Sequence, residues 1–448
     1  METMKKSCKL LLVGTALAAA MTFSAGAANF TGCADALNQM GLFSGTDKGY
    51  ELDRAPTRAE AAVMLVRLLG GEKEATEKNY STPFTDVPNW AAPYVGWLYE
   101  NGLTAGATET TFGTTGKCTA QMYSTFLLRS LGYADTGAAA DFQYANAIQF
   151  AEEKGVADYA NCDTDNFLRD NVVAMSYTAL SVQPKDGKHD TLLDQLTASG
   201  AVDATKSASA KATFAAYNEY AALSKKMENV TDMAMTMKAD VDVKMNNAAL
   251  MTMSMDMDIK ANMNLSKLDS SKLAMTGKTT MKIDPSLVED GESANMTMDM
   301  AAYYTDGNYY VKSGDEKIKM AMSFEDMMAG MDLDMMKGEP LCMFMSIAKN
   351  SVGSFSIAYT PDYMNSMISD ILSQTGMVSG EVTKLNKVEF TVIPKNGTIS
   401  SMKANMDMST TVEGQTMQMT MAMDYTITAT GSSVTVTLPS DLNTYKAQ

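Results

Sequence analysis

Histidine is almost missing from this chain: His189 stands alone among 448 residues. One imidazole leaves little raw material for a histidine-based zinc or copper site, or for a Ser-His-Asp triad in more than one domain. Positive charge is also short. Lys and Arg number 36 against 53 Asp and Glu, a formal net charge of −17, which argues against nucleic acid as main partner because phosphate contacts need a basic surface. No apolar run beyond the first 28 residues is long enough to span a bilayer. Cysteine occurs without a CxxC pair, so thiolate metal binding has no basis; Cys33, Cys118, Cys162 and Cys342 read as isolated thiols, too widely spaced for a disulfide-dense scaffold. Acidic residues are many but dispersed. They select no catalytic constellation, so the chain reads as non-enzymatic, with no cofactor and no metal site.

What is present begins with export. Lys5, Lys6 and Lys9 precede an apolar run from Leu10 to Met21 and the small residues Ala25-Gly26-Ala27-Ala28, the pattern of a secretory signal peptide over residues 1–28. An alternative places a lipidation box at Phe30-Thr31-Gly32-Cys33, although it lies past the apolar run and lacks the aliphatic residue. Leu438-Pro439-Ser440-Asp441 is followed by no apolar tail, so attachment would have to come from a folded domain. The length itself calls for at least two domains.

Aligned on itself, the first half repeats. Gly41-Leu42-Phe43-Ser44-Gly45 recurs as Gly102-Leu103-Thr104-Ala105-Gly106 and more weakly as Gly155-Val156-Ala157. The helical segment from Thr57 to Gly70 returns from Thr119 to Gly132, and a third copy aligns Leu168-Arg169-Asp170-Asn171 with its start and Met175 with Met64. Repeated units of this size bury their apolar helix faces against one another. Thr57-Arg58-Ala59-Glu60 is also a capping box, in which the Thr57 hydroxyl and the Glu60 carboxylate satisfy each other's backbone N–H. Capping explains Thr57 and Glu60 but not Arg58, whose guanidinium, beside free N–H groups at a helix start, suits a carboxylate.

These motifs resemble three S-layer homology repeats over residues 29–184, at about 29–70, 84–132 and 141–184. Repeat two is the clearest, with Phe84-Thr85-Asp86-Val87-Pro88 and the segment from Trp90 to Leu98; repeat one keeps Thr-Arg-Ala-Glu but lacks the leading Phe-x-Asp-Val. The resemblance implies an all-α, three-pronged domain that holds an exported protein noncovalently to an anionic, pyruvylated secondary cell-wall polysaccharide. It implies a place at the cell wall or cell surface of a Gram-positive-type envelope, with Arg58, Glu60, Asp86 and Arg169 contacting the polymer. Ala120 and Met122 replace the arginine and glutamate in repeat two, so that prong is expected to have lost its site. Trp90, Tyr94 and Trp97 share one helical spacing and read as core.

The Ser/Ala/Lys-rich stretch within 185–212 reads as a linker around a short helix near Leu192 to Leu196, and the second domain as 213–448. Methionine belongs to that second half: eight of 41 lie at or before residue 230 and 33 after it. Met251, Met253, Met255, Met257, Ile259, Ala261, Met263 and Leu265 alternate with polar residues, the period of a strand with one apolar face. The alternation returns at Met233–Met237, Met296–Met300, Ile318–Met322, Met402–Met408, Met417–Ile427 and Val434–Leu438, separated by turn signals such as Asp306-Gly307 and Asn396-Gly397. About eight antiparallel strands follow, with helices expected at 214–227, 324–336 and around 364–372. The paired tyrosines of Tyr303-Tyr304-Thr305-Asp306-Gly307-Asn308-Tyr309-Tyr310 add a hairpin.

This architecture resembles the lipoprotein-carrier half-barrel, an α+β fold with a large curved antiparallel sheet and covering helices that binds acyl chains or other apolar ligands. The resemblance implies a cavity for a hydrophobic small molecule or lipid lined by Met253, Met255, Met257, Met298, Met320, Met419, Met421, Tyr304 and Tyr310. Two other readings stand beside it: a structural surface protein or adhesin whose sheet is fully packed, and a Cu(I)-binding ladder of alternate thioethers. Altogether the sequence predicts a multidomain exported protein, an anchor followed by a displayed sheet domain.

Overall fold

The computed structural model describes residues 30–227, 230–287, 294–327, 339–360, 384–412 and 415–447. The expected signal peptide, the helix around 364–372 and most of the one at 324–336 lie outside them. Two units separate, one comprising Ala28–Tyr217 with Pro340–Met345, the other Asn218–Glu339 with Ser346–Gln448.

The first unit is helical: α1 (Thr31–Gln39), α2 (Arg58–Leu68), α3 (Glu72–Lys78), α4 (Ala92–Glu100), α5 (Ala120–Ser130), α6 (Ala147–Glu153), α7 (Arg169–Leu180) and α8 (Leu192–Ala198). Helices α2, α5 and α7 start where the three sequence copies align. Each buries nearly its whole length, α7 completely, because each is the central helix of one repeat and is surrounded by the others. The Tyr123 hydroxyl meets Ser176 Oγ at 2.6 Å, a buried polar bond joining α5 to α7.

Helix α9 (Ala204–Met227) occupies what reads as linker. Ala and Lys favour helix, and Ser207, Ala210 and Phe214 form a buried stripe at spacings of three and four. The division between units therefore falls at 217/218, inside a helix, instead of at 212.

Among the described residues the second unit is a 12-stranded sheet: β1 (Asp232–Met245), β2 (Ala248–Asn262), β3 (Lys272–Ile283), β4 (Asn295–Thr305), β5 (Asn308–Ser313), β6 (Glu316–Ala321), β7 (Phe344–Lys349), β8 (Phe355–Tyr359), β9 (Lys384–Lys395), β10 (Thr398–Val412), β11 (Gln415–Thr430) and β12 (Lys446–Ala447). Their order is β12-β6-β5-β4-β3-β2-β1-β11-β10-β9-β8-β7, an open sheet, antiparallel from β6 through to β8, with β12 parallel to β6. Paired positive-φ residues turn the hairpins at Asn246-Asn247, Asp306-Gly307 and Asn396-Gly397, the backbone that matches strand twist in a two-residue turn. Val434 and Val436, expected as a strand, are buried yet outside any ladder; the Asn262 side chain holds both, through Val434 O and Val436 N.

The period of two works as expected. In β2 the burial alternates from Met253 to Asp258, with Met253, Met255 and Met257 buried and Ser254, Asp256 and Asp258 exposed. Register carries the apolar face across the sheet: Met281, Met253, Val241, Met421 and Met406 stand in one row, and Thr279, Met255, Ala239, Met423 and Ala404 in the next. Large and small side chains thus alternate along the second row. Helix α10 (Phe324–Met327) and the end of α9 lie over this face, with Phe324 edge-on to Tyr304 at 5.2 Å and Tyr220 6.0 Å from Phe355.

Candidate functional site

The geometry around Arg58 follows from how the repeats interlock. The α2 start is held by a loop of repeat two: Arg58 N donates to Gly116 O at 2.8 Å, Ala59 N to Thr114 O, and Cys118 N returns to Pro56 O. The capping box is complete, Glu60 N donating to Thr57 Oγ1 at 3.2 Å and Thr57 N to Glu60 Oε2 at 2.8 Å. So the first helical N–H groups, expected to be open for a ligand carboxylate, are all consumed by protein acceptors. Only the guanidinium remains. It lies 4.9 Å from the Phe112 ring centroid and 5.8 Å from that of Phe126, with its Nε buried and without a hydrogen-bond partner among the described residues. Burial holds its pKa below the ordinary guanidinium range, against opposing pulls that include Tyr144 and Asp86.

The other three expected polymer contacts are committed to the fold. Glu60 is gripped by Arg54 through two contacts, at 2.6 and 3.0 Å, besides its bonds to Thr57. Burial raises its pKa, but these bonds outweigh it and hold the carboxyl down to about 2. Asp86 accepts from Phe112 N, Gly113 N and Thr114 N at 2.6, 2.7 and 3.0 Å. Its carboxylate therefore shapes the loop on which α2 rests. Arg169 is only 3% exposed; its Nε donates to Tyr50 O and its Nη1 lies against Met64 Sδ. Expected to read the polymer, Arg169 is turned inward: its α7 start is seated on repeat one, Arg169 N on Arg54 O and Asp170 N on Leu52 O. Repeat two keeps its cap, Met122 N donating to Thr119 Oγ1, without an arginine beside it.

Aromatic placement also differs. Trp97 is buried, but Trp90 is 55% exposed and Tyr144 is 47% exposed. Sequence spacing alone put Trp90 in the core and gave no sign of Phe112, Phe126 or Tyr144. Cys33 lies buried in α1 with its thiol directed to Cys342 O at 3.8 Å.

Residues 83–119 match the S-layer homology domain. The chain carries an S-layer homology domain. Its match contains Asp86, the loop that seats α2, and Phe112. Such domains bind cell-wall polymers in general, and the domain assigns this chain to the cell surface or wall. The middle cell wall protein of Brevibacillus brevis is 32% identical over 100 residues, 22% of this chain and 10% of that protein. The chain thus spans about a tenth of that relative's length. Among solved structures, a Nitrosomonas europaea protein described as an AttH is 6% identical, with a TM-score of 0.15 over 44% of this chain and 51% of that one. A DUF1329 family protein of Desulfovibrio piger is 10% identical, with a TM-score of 0.17 over 48% and 91%. At such scores neither informs function. No helix of the described residues is long and apolar enough to cross a membrane.

Of the expected cavity residues, Met253, Met255, Met257, Met421 and Tyr304 are buried on the apolar face, and Met298, Met320 and Met419 are half-buried there. Tyr304 pairs with Tyr309, whereas Tyr310 pairs with Tyr303 and Lys319. Tyr310 therefore points to the opposite face, edge-on to Tyr445 at 5.5 Å, and does not join the methionines.

Proposed function

We propose that this chain is a non-catalytic envelope protein whose helical unit grips an acidic, pyruvate-bearing wall polysaccharide through Arg58. One observation carries the reading: a half-buried guanidinium, backed by two rings, whose Nε lacks a partner. An anion brought to the guanidinium would restore the charge balance lost by burial. The rings fix its plane, favouring bidentate contact with a carboxylate. Sedimentation of the full chain with purified wall polysaccharide tests this. Arg58→Ala is expected to weaken binding by about ten- to a hundredfold, the loss of a charge-assisted bond, and Arg169→Lys to leave it unchanged. Equal binding by wild type and Arg58→Ala rejects the reading.

For the sheet unit the favoured reading is an apolar, lipid-like ligand or partner taken against the methionine face. Thioether side chains repack around varied shapes, and half-buried Met298, Met320 and Met419 supply adaptable surface. A fatty acid or a solvatochromic dye is expected to bind the full chain and to be displaced by the other. Tight Cu(I) uptake with no dye binding would favour the metal ladder instead, and neither would favour a packed sheet.

A further inference from the structure

Part of the polar face of the sheet is self-satisfied. Across neighbouring strands Lys238 meets Asp256 at 3.5 Å, Lys403 meets Asp424 at 3.0 Å, Ser254 bonds Asp240, and Thr280 bonds Thr297. Asp242, Lys244, Asp258 and Lys260 have no such side-chain partner among the described residues, and neither do the residues around one hollow. A hollow of about 320 Å³ opens among Thr276, Lys278, Asp299, Ala301, Tyr303 and Lys312. Register explains its shape: Thr276, Ala301 and Lys312 stand side by side on β3, β4 and β5, Lys278 faces Asp299, and Tyr303 lies between Ala274 and Tyr310. The short Ala301 and Thr276 make the floor, and the longer chains around them make the rim. Lys278, Asp299, Tyr303, Lys312 and Thr276 have no side-chain hydrogen bond or ion pair among the described residues, although Lys278 and Asp299 are directly opposed. Behind the rim Lys317 is spent on Asp441 at 2.6 Å, and Tyr310 packs on Tyr445, so the wall carrying Tyr303 is braced.

We propose that this hollow binds an acidic sugar residue, a uronic acid unit of a polysaccharide. The size suits one small ligand. Lys312 and Lys278 take the carboxylate, the Tyr303 ring packs against the C–H face of the pyranose, and Asp299 and Thr276 take hydroxyls. The carboxylates of Asp299, of Asp256 across from Lys278 and of Asp258 across from Thr276 stand close by, so an anion is selected by direct contact with the two unpaired ammonium groups and not by long-range attraction, on a chain of net −17. The site is independent of Arg58.

The full chain carrying Arg58→Ala, which silences the helical site, is titrated with an oligogalacturonate, its carboxyl-reduced neutral counterpart, and inorganic phosphate. Binding of the oligogalacturonate is expected, with the neutral sugar at least tenfold weaker and phosphate unable to compete. Lys312→Gln and Tyr303→Ala are each expected to lose tenfold or more, while Tyr303→Phe keeps the ring and the binding, and Lys244→Gln on the same face changes nothing. Phosphate competing as well as the acidic sugar overturns the proposal, as does full binding by Lys312→Gln or no binding by the parent.

Discussion

Replacing Asp86 by alanine should loosen the helical unit without touching its apolar core. The carboxylate accepts three backbone N–H groups, at 2.6, 2.7 and 3.0 Å, from Phe112, Gly113 and Thr114. Hydrogen bonds to a charged acceptor contribute about 1.5–3 kcal/mol each, but water can reach this exposed carboxylate's partners in part, so a net loss of about 2 kcal/mol is expected. Phe112 and Thr114 are buried, and their orphaned N–H groups set the lower end of that loss. The chain's two tryptophans, Trp90 and Trp97, both lie in the helical unit. Urea unfolding followed by tryptophan fluorescence therefore reports this unit alone. Because the same loop supplies Gly116 O and Thr114 O to the start of α2, polymer binding should weaken along with stability even though Asp86 meets no ligand. A direct ligand role predicts the reverse pattern, weaker binding at unchanged stability. A midpoint shift worth under about 0.5 kcal/mol, the usual size of a neutral surface change, would refute the structural assignment.

Acid should act through Glu60. Its folded pKa of about 2 lies below the ordinary 4.5, so its contribution is fully present above pH 4.5 and is lost as pH falls towards 2; Glu60→Gln should flatten that loss in a fluorescence-monitored acid titration, and parallel curves would count against it. In the sheet, Met257 is 1% exposed and Met345 59%. Met257→Ala should cost about 2–5 kcal/mol, and Met345→Ala less than about 0.5 kcal/mol, measured by circular dichroism at a strand-sensitive wavelength.

Local signals were the legible ones. The Thr57–Glu60 box and the period-two methionines are set by residues within a few positions of each other, so helix starts and the wet and apolar faces could be read directly. Strand β3 was harder, because Gly277 and Thr279 interrupt its apolar side between Met275 and Met281. Strands β7, β8 and β9 carry little methionine and gave no ladder to follow. Composition misled at α9, where small and charged residues that suit a flexible tether equally suit a helix buried along one stripe.

Two failures at the candidate sites share a physical cause, which is that orientation depends on a partner segment. A two-residue turn pairs Thr305 with Asn308, so residues of equal parity on its two sides fall on opposite faces, and Tyr304 and Tyr310 part company by geometry alone. Arg58 and Arg169 occupy equivalent helix starts, yet each is seated on a different loop. At Arg58 the loop offers its carbonyls to backbone N–H groups and leaves the guanidinium against Phe112. At Arg169 the Tyr50 carbonyl reaches the side chain itself and draws it into the interior. Equivalent positions in a repeat therefore carry unequal access, decided by the loop of another repeat far away in sequence. That leaves Arg58 as the guanidinium of the pair whose Nε has no partner among the described residues.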